Sequence, residues 1–278
     1  MRLTLTTKAS SIEAYWTIKH IKPGINKMPF NKKLLTAAGL VLSLTTLNAE
    51  AVLTPYIAVD GSAVVYSSIS DITWTADANL LGTMISNQGY NTVVNAIIAA
   101  SPIITNTPND FSPTGSYNIS VAEFSSSGWG LTSWFGAQAF TAYLNRINYA
   151  GSNQWALPSA FANPGGGDIH FGSQFGQLFY NELGGTAGMS IPNTANFVNE
   201  QAYLYWLGTD YASNPNVAGD FFTSNGNQTY GNKFNQVYVW AVSPGQLPAA
   251  VPVPGAIWLM GSSLLGLLLF THKKKLKS

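Results

Sequence analysis

Short apolar runs, broken by Gly, Ser, Asn and Pro, set the rhythm of this chain. Ala63-Val64-Val65-Tyr66 and Ile72-Thr73-Trp74 flank a Ser-rich turn and predict two short strands. Val93, Val94, Ile97 and Ile98 recur on one helical face, and the pattern stops before Pro102. Residues 101–128 are rich in Pro, Asn, Ser and Gly and predict a long loop. A helix is expected next, with Thr132 as its N-cap and Phe140, Tyr143, Leu144 and Ile147 along one stripe. After a flexible Pro164-Gly165-Gly166-Gly167 loop, Phe175, Leu178, Phe179 and Leu183 make a second stripe, ended by Gly184-Gly185. The last third predicts short strands at Tyr203–Leu207, Asp220–Thr223 and Val237–Val242. Helices in the middle and strands at both ends predict one compact α+β domain. Its terminal strands are expected to pair in an antiparallel sheet beside two or three helices.

Both ends of the chain break this rhythm. Met28-Pro29-Phe30-Asn31-Lys32-Lys33 is a basic start, Leu34 to Leu47 is apolar, and Ala49-Glu50-Ala51 places two small residues around a cleavage site. Residues 1–51 therefore read as a lead and a secretory signal peptide, with translation expected to begin at Met28 rather than Met1. At the other end, residues 251–278 open with Val251-Pro252-Val253-Pro254. An uncharged apolar stretch from Gly255 to Phe270 follows, then Lys273, Lys274 and Lys275. As a helix that stretch spans roughly 24 Å, close to the thickness of a hydrocarbon core. The lysines favour the cytoplasmic side, which places everything before Val251 outside the membrane.

Removing both ends changes the charge picture. Residues 52–250 hold only Arg146 and Lys233 against ten acids, a net charge of −8, while the whole chain stands at +1. Nucleic acid requires many phosphate contacts from Lys and Arg, which this segment lacks, and anionic glycans are disfavoured for the same reason. Cysteine is absent, so an exported domain of this size must rely on its core. Six Trp, with many Tyr and Phe, supply that core.

The tail resembles a PEP-CTERM sorting signal in its Val-Pro-x-Pro form, on Val251, Pro252, Val253 and Pro254, then Trp258 and Gly261, then Lys273, Lys274 and Lys275. The resemblance implies recognition by an exosortase after export through the secretory translocon. The body resembles, in pieces from Ala63 to Gly245, the C-terminal domain of the collagen-like adhesin Lcl. The pieces are Asp71–Asn79, Ser133–Asn145, Trp155-Ala156-Leu157-Pro158, Phe175–Gly184, Tyr205–Asn216 and Trp240–Gly245. This likeness implies a fold akin to C-type lectins and a role in surface adhesion or glycan binding, with no cofactor. Where the family carries arginines, this chain has Ala156 and Ser243. Their joint loss implies that the two positions are neighbours.

Candidate chemistry is sparse. His170 is the one histidine in residues 52–250, with Asp168 two positions away, and a surface turn accounts for both. Asp71 and Asp77 are acids of the kind glycosidases pair, but structural capping explains them as well. Asp210 and Asp220, with Asn214 and Asn216, offer oxygen ligands for calcium, yet Asx turns around Pro215 explain the same residues. A sugar-binding surface is expected from Trp206, Tyr211, Asn214, Asn216 and Tyr230. Large aromatics at strand ends, Trp155, Trp206 and Trp240, more often fill cores; Tyr211 and Tyr230 are the better candidates for exposure. The expected function is binding of a neutral extracellular polysaccharide rather than catalysis. The alternatives are a matrix protein without a specific ligand and a glycan-acting hydrolase.

Overall fold

Strands from the two ends of the domain meet in one antiparallel sheet. A computed structural model of the chain describes residues 53–105, 115–160, 173–211 and 213–251. All of them lie in the unit Asn48–Ser278; the other unit, Met1–Leu47, lies outside them, as do the signal peptide, the sorting tail from Pro252 onward, His170 and Asp168. The main sheet runs β1 (Leu53–Ile57), β2 (Ala63–Ser67), β3 (Ile72–Thr75) and then β9 (Val242–Pro244). Val65 lies opposite Trp74, and Trp74 opposite Val242, so the closing strand docks directly on the opening hairpin. Pairing of the terminal strands is expected from the sequence, but not at this place: within Val237–Val242, Val237 and Tyr238 make only isolated bridges, and the ladder to β3 begins at the last residue, Val242. A second sheet, β6 (Leu204–Asp210), β7 (Val217–Phe222) and β8 (Asn227–Asn232), is a meander, and β4 (Ile103–Thr105) pairs with β5 (Ser116–Asn118). That last hairpin falls where the composition predicts only loop.

Four helices occur among the described residues, and the class is α+β. Helix α1 (Leu80–Gln88) and α2 (Tyr90–Ala100) meet at Gly89, whose φ of 88° turns the chain between them. Val93, Val94 and Ile97 are buried, as their spacing requires. Helix α3 (Trp134–Arg146) starts one residue later than expected. Ser133 Oγ accepts from Gly136 N as the cap, while the Thr132 hydroxyl is directed at the Glu123 carbonyl, to which it donates. Helix α4 (Gln174–Gly176) continues as a π-helix over Gln177–Glu182, a difference that an apolar stripe alone does not reveal. Among the described residues no helix is long and apolar enough to cross a membrane.

Aromatic rings fill the core. Trp74 packs edge-on against Phe175 and Trp240 at 5.1 and 5.2 Å, and Phe175 stacks on Phe221. Trp134, Trp155, Trp206 and Trp240 each satisfy the indole N–H on a backbone carbonyl: Leu207, Tyr149, Thr132 and Thr75 in turn. These four and Trp74 are all buried. A buried Trp gains its area while keeping its polar atom satisfied only when such a carbonyl is in place. Ala156 and Val242 exchange both backbone hydrogen bonds, which sets Ala156 beside Ser243 as the sequence implies. Ser243 Oγ shares a buried hydrogen bond with Ser152 Oγ at 2.7 Å, so a neutral hydroxyl pair occupies that interior position.

Candidate functional site

The sixth tryptophan of the domain behaves differently. Trp129 is 67% exposed, at the tip of a loop that runs from Ser125 to Gly130. Ser125 N donates to Leu131 O and closes the base of this loop. Gly128 and Gly130 flank the ring with φ of 76° and 80°, in the left-handed region that side chains disfavour. Gly130 is also pressed against α1. A Cβ there would come within 2.5 Å of Gly82 N. The loop is therefore seated by its glycines, and the indole is left outside.

Trp129 forms one wall of an open groove of about 500 Å³, lined also by Asn79, Thr83, Ser86, Asn199, Gln201 and Tyr238. Hydrogen bonds hold the polar wall in place. The Asn79 amide donates to Trp129 O at 3.0 Å while its oxygen accepts from Gly82 N as the cap of α1. Asp77 sits behind this wall. One of its oxygens accepts from Asn79 N at 2.9 Å, and the other accepts from Thr83 Oγ1 at 2.5 Å and from Asn199 Nδ2 at 3.0 Å. Asn199 adopts φ of 60° and its carbonyl accepts from Gln201 Nε2 at 2.8 Å. The 198–199 segment is clamped to β3's exit by Ala78 N to Val198 O and Val198 N to Ala76 O. Four stretches distant in sequence thus converge: 77–86, 128–130, 199–201 and Tyr238.

The groove's chemistry is hydrogen bonding beside an aromatic face. Burial, then the neighbouring Tyr203, pushes the Tyr238 phenol above its ordinary value, so it stays a neutral donor and acceptor. Among the described lining residues there is no carboxylate and no histidine. Glu200, between Asn199 and Gln201, keeps one carboxylate oxygen buried without a protein partner, and Asp77, behind the wall, spends both oxygens on protein donors. Its part is structural capping, as expected. Asp71 likewise accepts from the Tyr66 hydroxyl.

The residues singled out by sequence reasoning fall elsewhere. Trp206 is a core residue with no exposed surface, held by its bond to Thr132 O, and is removed from any binding face. Tyr230 lies in strand β8, not in a loop, and leans on Tyr211 with ring centroids 4.4 Å apart. Both rings are half-buried; Asn214 is exposed on the adjoining turn and its side chain accepts from Asn216 N. The tyrosine pair is thus real, but it belongs to the far meander rather than to the groove. Asp210 and Asp220 are engaged separately. Asp210 forms an ion pair with the fully buried Lys233, whose ammonium also lies 4.5 Å from the Trp134 ring centre. Asp220 is buried and accepts from Thr229 Oγ1 at 2.5 Å; desolvation pushes its carboxyl up to about 6 despite that bond. Among the described residues no three acidic, histidine or cysteine side chains gather as a metal site.

Trp129 had one signal in the sequence. A large aromatic between two glycines, after three serines, has no strand or helix period by which to be buried. Asn199 and Gln201 had none, because only the fold brings them to Trp129.

Compared with known proteins, the chain matches no family model, no curated protein and no solved structure.

Proposed function

We propose that the domain binds a neutral extracellular polysaccharide through the Trp129 groove. The observation that carries this reading is Trp129, the one exposed tryptophan among the described residues, beside a preset wall of amides and hydroxyls. A pyranose ring has an apolar face that lies on an indole and hydroxyls that pair with Asn, Gln and Thr, and the site supplies both halves. The domain's charge of −8 repels anionic polymers and leaves neutral ones. Glycoside hydrolysis uses two carboxyl groups across the scissile bond, and the described lining offers no such pair, which favours binding over turnover.

The ends of the chain supply the setting. A signal peptide at 1–51 and an exosortase-type tail at 251–278 are consistent with export, brief anchoring in the membrane, and display at the surface or in the matrix. The likeness to the Lcl C-terminal domain, and with it a C-type-lectin-like fold, agrees with adhesion as the purpose.

The test is a neutral-polysaccharide panel (dextran, β-glucan, mannan, galactan and xylan) probed with the exported protein and with Trp129→Ala. We expect retention of at least one polymer by the wild type and a loss of about tenfold or more in the variant, equivalent to roughly 1.4 kcal/mol. Melting should be unchanged, because the ring is on the surface. Retention of none would leave a matrix protein without a specific ligand, and equal retention by the variant would overturn the Trp129 groove as the binding site.

A further inference from the structure

The loop that carries Trp129 has a second hollow on its other limb. A cavity of about 480 Å³ is lined by Tyr90, Asn91, Val121, Phe124, Ser126 and Gln236, with Ser125 at its rim. The Tyr90 hydroxyl donates to Phe124 O at 2.9 Å, and Gln236 Nε2 donates to Ala122 O at 3.0 Å, so its wall is also preset. Val121 is 55% exposed and contributes apolar surface, while Asn91 and Ser126 are exposed polar groups. The two cavities are nearly equal in size. Ser125 and Ser126 face one and Gly128 and Trp129 the other, so they share the loop as a common wall. Between them stands Ser127, exposed, with its hydroxyl 2.9 Å from that of Ser125.

We infer that both cavities serve one ligand: an extended neutral glycan chain that crosses the Ser125–Gly130 loop and places successive sugars on either side of it. This rests on the reading of the Trp129 groove given above. The chemistry of the second cavity matches the first, with amide and hydroxyl donors beside apolar surface and no charged side chain among the described residues that line it. Both hollows are open rather than enclosed, which suits the interior of a polymer and not only its terminus. A chain held in the first cavity presents its next units to the second at high local concentration. Affinity must then climb with chain length until the loop is spanned, and level off beyond.

The experiment takes whichever polysaccharide binds in the panel and cuts it to oligosaccharides of roughly two to ten units, spanning lengths that occupy one cavity or both. Titration of the full protein should show affinity rising about tenfold or more over a narrow range of lengths, then a plateau. The Asn91→Ala/Gln236→Ala double variant should bind the shortest oligosaccharides as the wild type does and lose the rise. Gln236 also supports Ala122, so Ser126→Leu, which fills the second cavity from an exposed position, provides an independent check. It should flatten the same curve. If short and long chains bind equally while Trp129→Ala still abolishes binding, the two-cavity inference falls and the groove stands. Binding that survives Trp129→Ala, or no binding at all, removes both.

Discussion

The side-chain amide of Asn79 donates to the carbonyl oxygen of Trp129, tying the first turn of α1 to the tip of a glycine-flanked loop. The same side chain caps the helix, so one residue serves both stability and the groove. The two roles separate by substitution. Asn79→Ala should lose about 1 kcal/mol of stability with the cap, and glycan affinity with the loop tie. Asn79→Ser keeps a capping oxygen but lacks the reach and the amide N–H that holds Trp129 O, so melting should hold near wild type while affinity still falls severalfold. Paired melting and titration of both variants reads the difference.

A neutral ligand leaves no salt signature. Raising ionic strength from about 0.05 to 0.5 M shortens the screening length severalfold and weakens attraction between exposed charges. Binding through Trp129 and its amides should shift by less than about twofold over that range. A steep loss of affinity with salt would point to a charged polymer and contradict the proposal.

Asp220 gives the domain a pH-dependent stability. Its folded-state value, about 6, lies above the ordinary 3.8 because burial disfavours the ionised form. The fold therefore prefers the protonated acid. The stabilisation from this group is full below about pH 4, is lost as pH rises through about 6, and is constant above that. Asp220→Asn should raise stability at neutral pH by about 1–3 kcal/mol and remove the group's contribution to the slope between about pH 4 and 6. Denaturant unfolding at a series of pH values measures both effects.

Lys233 and Asp210 make an asymmetric pair: the lysine has no exposed surface, and the carboxylate is 39% exposed. Asp210→Ala takes a counter-charge from a buried cation and should cost about 2–4 kcal/mol. Lys233→Met preserves the stem that lies along Trp134 and removes the buried charge, so it should cost clearly less. Equal losses in the two variants would show that burial of the ammonium is not what makes the pair costly to break.

Much of the framework was legible because its signals are local. The Val93–Ile97 face and the Phe175–Leu183 stripe bury as their helical spacing requires, and Val64, Val65 and the Ile72–Trp74 run are buried on both faces of the opening sheet. The adjacency of Ala156 and Ser243, expected from the resemblance, follows from the backbone bond pair between Ala156 and Val242. Strand β8 was not legible, since Asn227-Gln228-Thr229-Tyr230-Gly231-Asn232 has turn composition and is ordered by pairing with β7. Helix α1 was hidden for a similar reason: Gly82, Ser86 and Asn87 dilute its apolar face. The groove was the least legible feature. Sequence reasoning sought sugar-binding aromatics in the family-like stretch around Trp206, where the ring is fully occupied by the core. The exposed ring lies in a short loop whose partners come from residues far along the chain.

The Ile57 carbonyl receives the Ala250 N–H, and Ala58 bridges to Ala249. The last described residues thus lie alongside β1, the strand with which the described fold begins. A body whose first strand and last segment lie against each other can be reopened at an exposed turn such as Asn193–Ala195, with a short linker joining its old ends, without redrawing its interior.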